Sequence, residues 1–251
     1  SAPSTARFLK DVLANRYFLQ GEDGKSFLMN NKLSDLQYNP NSDLVKSVEE
    51  FYRKPNKSQF EQQVIAKNMD SVGNIDAFFN MIYGDREMRL ADFEKAKSYY
   101  EKAQNFTGIP RQNYEWTEKD GQKISQKQYA STEYNGFNNI SDLVFGHNVW
   151  ESFESGDTET MKAENYSDFP FIKSNMNKLD LANNLIQLKK IGSGNDEKAA
   201  KANQLIGNLL YNTSVLGYYR QLFVMDIDNS NGGKYHFWTT DRTNPYQYYY
   251  K

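Results

Sequence analysis

Apolar residues recur at helical spacing along most of the chain, and short segments rich in Gly, Asn, Asp and Pro separate the apolar runs. The runs of the N-terminal part predict helices that begin near Ser4, Ser42, Ser58, Gly73 and Leu90. Ser58 and Glu61 have the spacing of a capping box, and Pro55 ends the helix before them. We expect the first helix to bury one apolar face, formed by Phe8, Leu9, Val12, Leu13 and Tyr17.

The helical pattern returns in the C-terminal part of the chain. From Leu179 onward, an apolar face forms around Leu181, Leu185 and Leu188, and a Gly-Ser-Gly segment after Ile191 ends that helix. Asn195 is placed to cap a second helix. The apolar stripe of that helix consists of Ala199, Ala202, Leu205, Ile206, Leu209 and Leu210. The two helices are expected to form a hairpin with a small-residue interface.

The middle part, residues 111–170, combines a strand pattern with loops. Alternating residues flank the dipeptide Asp120-Gly121, which is typical of a two-residue β-hairpin turn. A helix is expected to begin at Ser141 and to carry Leu143, Val144, Phe145, Trp150 and Phe153. We interpret this part as a loop-rich insertion between two helical parts of one continuous domain, residues 1–110 and 171–251.

The run from Ala91 to Ala103 has a more specific pattern. Ala96, Tyr100 and Ala103 stand at offsets of four and three, and Gly84 lies twelve residues before Ala96. Small residues at such places let two helices approach closely, and the aromatic ring fills the groove between them. Residues 42–110 thereby resemble tetratricopeptide repeats. The resemblance implies a mostly α fold, an α-solenoid of antiparallel helix pairs that serves as an interaction scaffold.

A second resemblance involves residues 201–208, the run Tyr211-Asn212-Thr213-Ser214 and the run Gly217-Tyr218-Tyr219-Arg220. These segments are similar to parts of large Bacteroidetes-type cell-envelope proteins whose helical repeats are rich in Asn and Tyr. This resemblance implies an extracytoplasmic location, in the periplasm or at the outer membrane. Both ends of the sequence also lead us to expect a segment of a longer protein.

Composition excludes several function classes. The chain has 30 basic and 32 acidic residues and a net charge of −2, which argues against a nucleic-acid binder, since such proteins present a basic face. It contains no Cys, so disulfides, thiolate metal sites and a Cys nucleophile are excluded. No apolar run approaches the roughly 20 residues of a membrane span.

Three motifs invite a chemical interpretation, and each lacks a required part. Gly24-Lys25-Ser26 has Leu19 where a phosphate-binding loop needs a Gly, so we interpret it as a solvated turn. His147 and Glu151 stand four apart, but a zinc site needs a third ligand. Asp226, Asp228 and Ser230 alternate as in a calcium loop, which then requires a Gly and a Glu that are absent. We therefore predict no metal, no cofactor and no catalytic residue.

Aromatic side chains crowd the C-terminal part, and Tyr218, Tyr219, Tyr235 and Trp238 are the predicted partner-binding residues. The leading hypothesis is a non-enzymatic scaffold that binds a protein or peptide, including neighbouring repeats of its own parent chain. The alternative is a glycan-binding module resembling starch-utilisation outer-membrane binding proteins. Burial of the three tryptophans, Trp116, Trp150 and Trp238, would count against sugar stacking.

Overall fold

A computed structural model describes residues 2–38, 41–69, 72–133, 137–147, 166–214 and 216–223, and these residues are mostly helical. The α-helices are α1 (Ala2–Leu19), α2 (Asp23–Asn30), α3 (Ser42–Arg53), α4 (Ile75–Arg89), α5 (Phe93–Ala103), α6 (Lys178–Ile191) and α7 (Glu197–Asn212). The strands form two antiparallel pairs, β1 (Ile109–Lys119) with β2 (Gln122–Glu133) and β3 (Ile140–Ser141) with β4 (Asn175–Met176). Short 3₁₀ or π turns lie at Leu33–Tyr38, Glu61–Ile65, Ala66–Met69, Asp142–Phe145, Tyr166–Asp168 and Arg220–Phe223.

Helices that are adjacent in sequence pack against each other, first α1 with α2 and α2 with α3, then α4 with α5 and α6 with α7. Helix α5 also packs against α6, although both pairs of strands lie between them in the sequence. One cluster of buried side chains connects these helices. In α3, α5 and α7 the buried apolar residues fall on one side of the helix, so each contributes a stripe to that cluster, whereas α4 buries apolar residues around most of its circumference.

The pair α4 and α5 is the closest match to the sequence prediction. Asn74 caps α4 by accepting from the N–H of Ala77, as Asp92 caps α5 by accepting from the N–H of Lys95. Ala96, Tyr100 and Ala103 are fully buried. A Cβ on Gly84 would overlap the Tyr100 ring, so the absence of a side chain is what lets the two helices approach.

The predicted β-hairpin is confirmed and is longer than the sequence pattern indicated. Strands β1 and β2 pair from Ile109 with Glu133 to Lys119 with Gln122. Asp120 and Gly121 form the turn with φ of 54° and 74°, as a two-residue turn with both residues in the left-handed region requires. The register shifts between Thr117 and Glu118.

Two local predictions are wrong. Gly24, Lys25 and Ser26 are not a solvated turn but belong to α2, a short helix that the pattern did not reveal, and Gly24 and Ser26 are buried. A Cβ on Gly24 would overlap the backbone of Ser47 in α3, so this Gly is needed for packing. The second C-terminal helix is capped by Asp196 rather than Asn195.

The helix expected from Ser141 is also wrong over its described part. Ser141 caps a single 3₁₀ turn, and the chain at Gly146 is extended. Two amides of α7 hold this turn: Asn208 donates to the Phe145 carbonyl at 2.9 Å, and Asn212 donates to the carbonyls of Val144 and Gly146 at 3.0 and 2.7 Å. These bonds satisfy backbone carbonyls that a continuing α-helix would have paired internally.

Candidate partner-binding surface

Helix α1 faces the core with only part of its apolar surface, which corrects the predicted burial of this helix. Leu13, Ala14 and Tyr17 pack on the core. Phe8, Leu9, Val12 and Leu19 point outward and are 65%, 55%, 37% and 75% exposed. We call these four side chains the outer face of α1. Phe18 is also exposed, at 58%, and projects to a different side of the helix. The fold thus leaves a large part of the apolar surface of α1 uncovered.

The orientation of α1 is fixed by contacts on its inner side. Asn30 of α2 donates to Asp11 Oδ1 at 3.1 Å. The Lys25 ammonium lies 5.3 Å from the centre of the Tyr17 ring, within the range of a cation–π contact. Because these contacts are made by the side of the helix opposite Val12, they hold the outer face toward solvent.

The charges on α1 are predominantly basic. The helix carries Arg7, Lys10 and Arg16, all exposed, and its one carboxylate is Asp11, which is bonded to Asn30 on the inner side. Projected down the helix axis at about 100° per residue, Arg16 falls between Val12 and Leu9. A cation therefore lies among the apolar side chains of the outer face.

The predicted C-terminal binding residues are described only in part. Tyr218 is 36% exposed, Tyr219 is half-buried, and their rings meet edge to face with centroids 5.1 Å apart. Burial raises the pKa of Tyr219 to about 12, with the neighbouring Tyr218 and Asp142 adding to the shift. Tyr235 and Trp238 lie outside the described residues. The structure thus places one exposed ring, Tyr218, at the predicted surface.

A buried charge cluster lies at the centre of the helical stack, and the sequence analysis did not find it. Lys178 Nζ at the start of α6 lies 2.6 Å from both carboxylate oxygens of Asp85 in α4. Tyr100 OH of α5 donates to Asp85 Oδ1 at 2.8 Å, and Lys178 Nζ also donates to the Leu222 carbonyl at 2.7 Å. The Phe223 ring centre is 5.6 Å from the ammonium. The cluster joins three helices to the segment that follows α7.

Burial dominates the electrostatics of this cluster. It raises the pKa of the Asp85 carboxyl, lowers the pKa of the Lys178 ammonium and raises the pKa of the Tyr100 hydroxyl well above its usual value. The short contact between Asp85 and Lys178 opposes the first two shifts. The lysine and aspartate side chains are 2% and 3% exposed, so a substrate cannot reach the amine in this conformation. The arrangement is that of a structural ion pair.

A second charge cluster centres on Glu61, which forms the predicted capping box with Ser58. Lys54 donates to both carboxylate oxygens at 2.8 and 2.9 Å, and Lys25 lies 2.9 Å from Oε1. Burial alone would raise the pKa of Glu61. The bonds from Lys54, Lys25 and the Ser58 N–H outweigh burial and lower this pKa to about 2.

The lowered pKa of Glu61 predicts a pH-dependent contribution to stability. We expect Glu61→Gln to lower the free energy of unfolding at pH 7 by about 1–2 kcal/mol. Because the folded pKa of about 2 lies below the ordinary value of 4.5, the deficit should shrink as pH falls from 4.5 to 2. Urea denaturation of the wild-type and Glu61→Gln chains at pH values from 2 to 7 measures this deficit. Glu197→Gln, at an exposed pair, serves as the control, and a deficit independent of pH would contradict the prediction.

The other candidate sites receive no support. His147 is exposed, and Glu151 and the proposed calcium loop lie outside the described residues, as do the side chains of Trp116, Trp150 and Trp238. Within the described ranges, no group of three or more His, Cys, Asp or Glu side chains could hold a metal ion. No helix in that same part of the chain is long and apolar enough to cross a bilayer.

The chain was compared with protein-family models, curated proteins and solved structures, and none of the three comparisons gives a match.

Proposed function

We propose that this chain is a non-enzymatic helical scaffold that binds a helical segment of a protein partner on the outer face of α1. The observation that carries the proposal is the exposure of Phe8, Leu9, Val12 and Leu19 on a well-anchored helix. Aligned apolar side chains on one exposed helix are typical of protein interaction sites. Phe8 to Leu19 spans about 16 Å at the ~1.5 Å rise of a helix, which matches about three turns of a partner helix.

Binding would follow the mode in which apolar anchors on one helix pack against another. Each side chain of the outer face that loses water on binding would contribute on the order of 1 kcal/mol. The fold supports this role because Tyr17 and Asp11 fix the helix before the partner arrives, which reduces the entropy lost on association.

The finer architecture is also part of the proposal. The α4–α5 and α6–α7 hairpins would be successive units of a tetratricopeptide-like α-solenoid, a reading supported by the close approach at Gly84 and by the contact of α5 with α6. The setting in the cell envelope rests on the sequence resemblance of residues 201–220 alone. Glycan binding stays a prediction, for which Tyr211 and Tyr218 are the exposed tyrosine rings among the described C-terminal residues.

The test is site-specific photo-crosslinking in the native host. A photoreactive phenylalanine analogue at Val12 should link the chain to one identified protein, and the same analogue at exposed Leu90 should not. The triple variant Phe8→Gln, Val12→Gln and Leu19→Gln should then lose binding to the purified partner by at least tenfold. Failure of Val12 to crosslink to any protein would refute the proposal.

A matched control keeps the triple variant interpretable. Leu90, Tyr211 and Leu216 are also large, apolar and exposed, at 64%, 47% and 75%, and none of them belongs to α1. Their replacement by Gln should leave partner binding unchanged. Loss of binding in the control set but not in the α1 set would move the site to the C-terminal surface around Tyr218.

A further inference from the structure

We infer that the partner segment is an amphipathic helix with acidic side chains bordering its apolar stripe. This inference rests on the proposed function and adds the chemistry of the partner. Its basis is the placement of the exposed Arg16 within the outer face, between Val12 and Leu9. A partner that covers Val12 and Leu9 must also cover Arg16, and removing that cation from water costs free energy that a carboxylate of the partner would offset.

The other charges of α1 leave Arg16 without a counter-charge on the outer face. Arg7 and Lys10 are exposed but project to other sides of the helix, and its one carboxylate, Asp11, is engaged by Asn30 on the inner side. The chain as a whole has a net charge of −2, so the excess of basic groups on α1 is local. Local charge of one sign selects partners of the opposite sign and speeds their association.

A second copy of this chain is a poor occupant of the same face. A two-fold arrangement of the outer faces would bring Arg16 of both copies to one interface, where α1 offers no carboxylate to pair them. Four side chains on one helix also bury far less than the roughly 800 Å² per partner of a stable interface between folded proteins. An elongated helix that contacts the stripe along its length suits this surface better.

An anionic membrane surface is the alternative binding partner of α1, because basic amphipathic helices also bind lipid headgroups. Such helices separate their cations from the apolar face that enters the acyl region. On α1, Arg16 projects between Val12 and Leu9, where it would be drawn into that region. The interleaved charge therefore favours a protein partner with a carboxylate at the matching position.

The experiment uses two synthetic 18-residue helical peptides with identical leucine stripes, one bordered by Glu and the other by Lys. Binding to the full chain is measured by fluorescence anisotropy at low and at 0.5 M salt. We expect the Glu peptide to bind at least tenfold more tightly than the Lys peptide at low salt, and to lose most of this preference at high salt. Arg16→Glu should reverse the preference, whereas Lys190→Glu, at an exposed position of α6, should not.

Equal binding of the two peptides, or binding of neither, would overturn the inference. Binding to vesicles of phosphatidylglycerol and phosphatidylcholine, but not to the Glu peptide, would overturn it in favour of a lipid surface. The failure of the proposed function is distinguishable from these outcomes, since it would appear as absence of a Val12 crosslink to any protein. A crosslinked partner that binds the wild-type chain and the Arg16→Glu variant equally would support the proposed function. It would contradict the inference that the partner carries acidic side chains beside its apolar stripe.

Discussion

Replacement of Lys178 by Met is expected to lower the free energy of unfolding by about 3–5 kcal/mol, measured by urea denaturation. The substitution leaves the Asp85 carboxylate buried with one remaining side-chain donor, the Tyr100 hydroxyl. It also removes the bond from Lys178 Nζ to the Leu222 carbonyl, which holds the segment after α7 to the core. An unpaired buried charge costs far more than the pair itself contributes.

The double variant Lys178→Met and Asp85→Asn separates these effects. An Asn at position 85 has no charge to bury and still accepts from Tyr100, so we expect it to recover more than half of the lost stability. Lys201→Met provides the exposed comparison, because Lys201 pairs with Asp168 at 3.2 Å on the surface and its loss should cost less than about 0.5 kcal/mol. Similar losses for Lys178→Met and Lys201→Met would contradict the described cluster.

The sequence alone predicts the structure where the determinants of that structure are local. Asn74 and Asp92 cap α4 and α5 a few residues from the apolar positions they precede, and Asp120-Gly121 contains the whole turn chemistry of the hairpin. In contrast, the ion pair joins Asp85 and Lys178 across 93 positions, and neither residue has a neighbouring motif that marks it. A polar residue on the buried side of α4 was the one available sign.

The outer face of α1 shows a different limit of prediction from the sequence. Apolar residues occur on two sides of this helix, and periodicity alone cannot tell which side meets the core. The analysis of the sequence assigned Phe8, Leu9 and Val12 to the interior with Leu13 and Tyr17. The choice between the sides depends on α2, since Asn30 and Lys25 contact the inner side, and α2 itself has too few apolar residues to be recognised as a helix.

Replacement of Gly84 by Ala is expected to lower the free energy of unfolding by about 2–3 kcal/mol. Helix propensity alone predicts the opposite sign, because Ala in a helix interior is favoured over Gly by about 1 kcal/mol. In this fold the added Cβ would overlap the Tyr100 ring, which is fully buried and is held at its hydroxyl by Asp85. The ring can move only by giving up that hydrogen bond.

Gly207→Ala in α7 is the matched control, since Gly207 is exposed and a Cβ there would meet no atom within 4 Å. We expect this variant to be more stable than wild type by about 0.5–1 kcal/mol. Because Gly84→Ala displaces the same hydroxyl that supports Asp85, its effect should be less than additive with that of Lys178→Met. If Gly84→Ala were as stabilising as Gly207→Ala, the close approach of α4 and α5 would be wrong, and the proposed tetratricopeptide-like arrangement would lose one of its two supports.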